Sequence, residues 1–281
     1  DFTYNTDFAQ VEADEQQVNL TRFSLFFPEK RDFFLENAGT FSFGGTAPRG
    51  MSLNTSDAPI LFYSRQVGLS RGRAVPIRGG GRLTGRAGRF SLGVLNVQAG
   101  DEPASRTGAS NFSVVRIKRD ILKTSSVGLI YAGRSVGQTG LGRNDTYGID
   151  GHFSFFTDLA VNTYWAGTRT DGVSEDDDRS YRMHLDYNGD RYGVQAEHLV
   201  VGSGFDPQVG FASRRDLHKN FALFRFRPRP KKSKIVRKYL WSGSFTNIEN
   251  GANRLETRTW DADFEIQLQN SDRLVAGYTD N

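Results

Sequence analysis

His152 and His184 each stand two residues from an aspartate, in Asp150-Gly-His152 and His184-Leu-Asp186. Residues two apart on an extended strand project to the same side, so each pair suits a metal ligand set or an acid–base couple. It suits a hydrogen-bonded network equally well. The network is the preferred reading, because no His-x-x-x-His or related ligand spacing accompanies the pairs. Asp261, Asp263 and Glu265 form a third constellation of the same parity. One of these carboxylates could act as a general acid or base with a carboxylate on another strand. Three parallel like charges must otherwise be solvated or neutralised, and a charged wall facing Arg182 or other arginines is the favoured role.

Asp171, Glu175, Asp176, Asp177 and Asp178 crowd the segment "DGVSEDDD". Oxygen ligands of this kind suit Ca²⁺, but the spacing is not that of an EF-hand, and a solvated acidic loop is preferred. Nucleophilic catalysis has little support. There is no cysteine, and a Ser-His-Asp triad would have to be assembled from only four histidines, at 152, 184, 198 and 218. The run "RFRPRPKKSKIVRK" from Arg225 to Lys238 is the densest positive charge. It suits anionic head groups or a periplasmic partner better than nucleic acid, since no base-stacking module accompanies it.

The elements that must carry these residues are strands. Tyr147, Ile149, Phe153 and Phe155 alternate with Asp150, His152 and Ser154; Tyr181, Met183, Leu185 and Tyr187 alternate with Arg182, His184, Asp186 and Asn188. Trp260, Ala262, Phe264, Ile266 and Leu268 alternate in the same way with Asp261, Asp263, Glu265 and Gln267. A helix, with its period of about 3.6, would scatter both sets around its axis. Short turns are expected near 86–89, 122–124, 157–158, 189–191 and 270–272, and longer loops near 100–109, 135–144, 169–179, 202–219 and 248–255. Short and long ends then face opposite ways, as in outer-membrane barrels. A soluble β-sandwich also alternates. The ionic character of the polar face over many strands favours a hydrated lumen instead.

Composition is compatible with that reading. Mean hydropathy is −0.52 and 37% of residues are hydrophobic, and no stretch approaches the roughly 18 apolar residues of a membrane helix. A spanning β-strand needs only every second residue apolar. The net charge of +4 comes from 36 basic and 32 acidic residues, so the balance does not compel nucleic-acid binding. The expected fold is all-β: an antiparallel transmembrane β-barrel, incomplete in this chain, spanning 76–281. Both ends read as internal to a longer protein.

Residues 1–75 differ. "NLTRFSLFFPEKRDFFLENAGTFSFGG" mixes charge and phenylalanine without alternation, and Pro28 interrupts a continuous helix. A plug-like or lumen-lining segment is expected here, built on Arg22, Phe26, Phe27, Glu29, Lys30, Arg31, Phe33, Phe34 and Glu36. Its charges should pair with wall residues, because burying them alone is costly.

The blocks "DFAQVEADEQQVNLTRFSLFFPEKRDFFLE" from Asp7, "FYSRQVGL" from Phe62, "IRGGGRLTGRAGRFSLGVLNVQ" from Ile77 and "GFDPQVGFASRRD" from Gly204 carry a resemblance. Together they resemble a bacterial outer-membrane β-barrel domain of unknown function that follows a carbohydrate-binding family-nine-like domain. The resemblance spans essentially the whole chain. Where that family has a proline beside the first aspartate of its "NPDF" pattern, this chain has Thr6. The resemblance implies a location in the outer membrane of a Gram-negative bacterium and contact with lipid and lipopolysaccharide. It implies in addition a glycan reached through an upstream domain, while the basic run points to a periplasmic or envelope protein partner. Relatives are sometimes labelled membrane-associated hydrolases, but no catalytic residue carries over. The expected function is a conduit, receptor or envelope assembly component without enzymatic activity. The alternatives are a membrane-anchored glycan hydrolase and a barrel that anchors a carbohydrate-binding domain. No cofactor is implied. Lumen-lining residues are expected to be Asp150, His152, Arg182, His184, Asp186, Asp261, Asp263 and Glu265.

Overall fold

The computed structural model describes residues 1–6, 26–45, 57–70, 73–103, 107–138, 140, 142–173 and 176–281. The expected plug residue Arg22 and the acidic-loop residue Glu175 lie outside them.

Fifteen strands are assigned among the described residues. They begin with β1 (Phe2–Thr6), the short hairpin β2 (Leu69–Ser70) and β3 (Arg73–Ala74), β4 (Ile77–Ala87) and β5 (Phe90–Ala99). The chain continues through β6 (Ser110–Asp120), β7 (Ser126–Arg134), β8 (Asn144–Phe155), β9 (Leu159–Thr170) and β10 (Arg179–Asn188). It ends with β11 (Tyr192–Val201), β12 (Leu217–Phe226), β13 (Val236–Glu249), β14 (Leu255–Leu268) and β15 (Arg273–Asp280). One antiparallel sheet of 13 strands runs β1, then β4 through β15 in chain order. Every pair from β4 onward joins sequence neighbours, which is why connections can be short. The sheet is open, with β1 and β15 at its edges.

The connections at one end are 88–89, 121–125, 156–158, 189–191 and 269–272; those at the other include 100–109, 135–143, 171–178 and 202–216. The alternation of short and long has one exception. Residues 227–235 form a nine-residue connection on the short-turn end, longer than 250–254 opposite. Prolines 228 and 230 interrupt the pairing there, and Arg229 reaches back to Asp190 at 2.7 Å.

The described parts of the N-terminal region, 26–45 and 57–70, contain little regular structure. Pro28 and the backbone turn at Asn37 (φ 53°) leave one helical turn, α1 (Asp32–Leu35), followed by a 3₁₀ turn at Ala38–Phe41. Stability therefore has to come from packing. Phe34, Phe41 and Val67 join Ile77, Leu95, Val97, Phe112 and Val114 of β4–β6 in one cluster. Phe43, Ala58 and Leu61 join Ile130, Tyr164, Leu199, Leu217 and Ile248 of β7–β13 in another. The sheet curves around this segment, and both clusters lie on the same inner face.

Wall glycines make the close approach feasible. A Cβ at Gly148 would lie 2.6 Å from the Phe43 ring and 3.0 Å from Leu61; one at Gly93 would lie 2.9 Å from Phe41. The 202–216 loop covers the other side of the segment through the Ile60–Phe211 bridge and buried Phe205 and Val209.

Candidate functional site

The register brings inner-face residues of successive strands into rows. His152, Asn162, His184 and Glu197 are direct neighbours across β8, β9, β10 and β11. One row toward the long loops stand Asp150, Tyr164, Arg182, Leu199 and Lys219. Alternation thus places Asp150, His152, Arg182, His184 and Asp186 on the face where residues 26–45 and 57–70 pack. Asp261, Asp263 and Glu265 share that face on β14, opposite Ser244, Ser242 and Leu240 of β13.

The upper row grips the N-terminal segment. Arg116 makes a bidentate pair with Asp150, at 2.7 and 2.8 Å, and Asp150 Oδ2 also accepts the Gly44 N–H at 3.0 Å. Arg182 pairs with Glu197 and donates to the Gly44 carbonyl at 3.4 Å. Lys219 then joins Glu197 at 3.5 Å to Asp57 at 2.8 Å. The backbone at Gly44 is therefore held on its N–H by an anion and on its carbonyl by a cation. Its φ of 64° and the Tyr164 ring, 2.6 Å from where a Cβ would stand, both favour glycine.

A second grip lies nearer the sheet's first edge. Arg82 donates to the carbonyls of Phe33 and Glu36 and pairs with the Glu36 carboxylate at 2.6 Å. It also pairs with Asp1, so β1 and α1 meet at one guanidinium. The wall-pairing expectation holds for Glu36 but not for the Glu29–Arg31 pair. Glu36 reaches the wall, whereas Arg31 meets Glu29 at 2.7 Å, the Val67 carbonyl at 2.6 Å and the Ser64 carbonyl at 2.8 Å, all within the segment. Burial raises the pKa of the Glu29 carboxyl, but Arg31 and Ser64 outweigh it and hold the group below the ordinary carboxylate value. Phe26 packs tilted against Tyr63 and edge-on to Phe211, and Phe33 packs edge-on to Phe34. The Phe27 N–H donates to the Tyr63 hydroxyl at 3.2 Å.

The acidic row is not matched to Arg182, whose guanidinium is occupied by Glu197. Asp261 instead accepts from Ser244 at 3.1 Å and Thr279 at 2.8 Å, and Glu265 lies 3.9 Å from Arg273. His152 bonds Asn162 at 2.7 Å, and Asp186 accepts from Gln195 at 3.2 Å. His198 lies on the outer face beside Asn220 and Tyr181. In the acidic loop Asp177 accepts the Ser203 N–H at 3.3 Å, Asp178 lies 3.7 Å from Arg179, and Asp171 accepts the Arg143 N–H at 3.4 Å. Among the described residues no three His, Asp or Glu side chains gather as metal ligands.

Sequence reasoning missed Arg82, Arg116, Glu197, Lys219 and Asp57. The parity of Gln195 and Glu197 between Val194, Ala196 and His198 was readable. Lys219 was masked because Phe221 and Leu223 share its inner face.

The outer face is the opposite in character. Ile149, Met183, Phe224, Trp241 and Trp260 are each about half exposed or more. Near the short-turn ends of their strands stand Phe90, Phe155, Tyr187, Tyr192 and Phe226, and in the loop half stand Tyr131, Tyr147, Tyr181 and Trp260. Beyond the latter the outer face turns polar, with Asn96 bonded to Asn111 and Ser113, and Tyr131 bonded to Asp145. Comparison with known proteins gives no match, either to a family model or to a curated protein.

Proposed function

We propose that this chain forms the wall and plug of a bacterial outer-membrane β-barrel, and that it serves as a receptor or gated conduit whose lumen its own N-terminal segment occupies. The observation that carries the proposal is the exposed apolar belt on the outer face, repeated strand after strand and bordered by aromatic residues. A soluble monomer rarely exposes a contiguous apolar patch beyond a few hundred Å². From Tyr147 to Phe155 the belt extends about 27 Å along β8. At the strand tilt of roughly 35–45° typical of such barrels this is about 19–22 Å along the membrane normal, near the apolar height of roughly 25 Å.

The row of charges that grips Gly44 favours a plugged lumen over a hydrolase. A glycan hydrolase needs a carboxyl group free to exchange a proton with the substrate. Asp150 is committed to Arg116 and to the Gly44 amide, and Glu197 to Arg182 and Lys219.

The full chain reconstituted in planar bilayers should show little conductance. Lys219→Gln, which releases Asp57, should produce discrete openings. A large steady conductance in the unaltered protein would contradict the plug, and robust turnover of glycan or ester substrates would contradict the non-enzymatic reading.

A further inference from the structure

The outer face of β5–β9 carries a groove of about 570 Å³. Register explains it. Phe90, Arg119, Val127, Gly151 and Thr163 form one row across the five strands, and Ile117, Leu129, Ile149 and Trp165 lie in the next. Gly151 has no side chain where its row-mates project, so the surface is hollow between Val127 and Thr163. The Phe153 ring closes the hollow from below, 2.6 Å from where a Gly151 Cβ would stand.

One end of this apolar groove is cationic. Arg119 is the penultimate residue of β6, exposed on the outer face and placed over the Phe90 ring at 5.3 Å. Arg89 and Lys123 occupy the two adjoining short turns. The neighbouring carboxylate, Asp120, belongs to the inner face and is paired with Arg86. Arg119 has no carboxylate partner among the described residues.

An apolar channel ending at an unpaired guanidinium has the chemistry of one lipid: hydrocarbon along the groove, phosphate at its mouth. We propose that the groove seats an acyl chain of an anionic phospholipid in the leaflet on the short-turn side, its phosphate held by Arg119. The assignment rests on the membrane reading above. It adds a defined site to an otherwise general lipid contact.

Trp165 lines the groove and reports on it. The sequence has three tryptophans, so Trp241→Phe with Trp260→Phe leaves Trp165 alone in the full chain. This variant is reconstituted in phosphatidylcholine vesicles with increasing amounts of phosphatidylglycerol brominated on its acyl chains. Brominated phosphatidylcholine serves as the reference. Trp165 quenching should show a preference of about fivefold for the anionic lipid, the scale of one basic side chain near a charged surface. Arg119→Gln should abolish that preference, and Gly151→Leu should weaken quenching by both lipids. Equal quenching by the two lipids, or a preference unchanged in Arg119→Gln, overturns the site and leaves the membrane reading standing. Absence of quenching in the single-tryptophan protein and in the unaltered protein alike overturns both.

Discussion

At the scale of single residues, inner-face charges act mainly as positioning groups. Breaking a buried pair by removing one partner typically costs about 3–5 kcal/mol, because the other charge is left stranded. Arg116 and Arg182 are almost wholly buried, so Asp150 and Glu197 are needed to keep them there. Glu29 gives this dependence a pH signature. Its folded-state pKa lies below the ordinary value of 4.5, so its contribution is complete above that value and is lost as pH falls through the folded-state pKa. Protease protection around Lys30 in the membrane-embedded protein should therefore decline on acidification below about pH 4.5. Glu29→Gln should lower protection at neutral pH by about 1.5–3 kcal/mol, the worth of charge-assisted hydrogen bonds, and flatten the acid transition. A transition unchanged in Glu29→Gln would assign it to another carboxylate.

At the scale of elements, strands and the N-terminal segment are held by complementary shape. Phe43 sits where Gly148 leaves room, so Gly148→Leu should force the ring away at a cost of about 1–3 kcal/mol. Faster proteolysis of residues 26–45 with the strand pairing intact is the expected result; unchanged cleavage would show that the glycine is not the seat. This level was partly legible in the sequence. The period-two pattern of 145–156, 180–188 and 256–268 located β8, β10 and β14 and assigned each residue to its face, because strand parity depends on nothing beyond the chain itself. The glycine seats were not legible, since a glycine in a strand looks the same whether it fits a ring, a bulge or a lipid. The partners of Arg182 were not legible either. Glu197 on β11 and the acidic row on β14 both had the right parity, and cross-strand register alone decided for Glu197.

At the scale of the whole molecule, the sheet has two faces of different character. The inner face of β4–β13 packs against 26–45, 57–70 and the 202–216 loop. The outer face offers tyrosine, tryptophan and phenylalanine around an aliphatic band. Both free edges remain unpaired, with Phe2 94% exposed on β1 and every residue of β15 exposed, so closure into a barrel requires these edges to find strands. No helix among the described residues is long and apolar enough to cross a membrane.

The most direct test of that account is an accessibility scan along β8. A nitroxide is placed in turn at each position from 144 to 155 of the full chain in lipid bilayers, and collision with oxygen is compared with collision with a water-soluble nickel complex. Oxygen, which concentrates in lipid, should reach 147, 149, 151, 153 and 155. Positions 146, 148 and 150, buried under the N-terminal segment, should be poorly accessible to both reagents. A profile without period two, or one in which the nickel complex reaches 149 and 153 as readily as oxygen does, would contradict it.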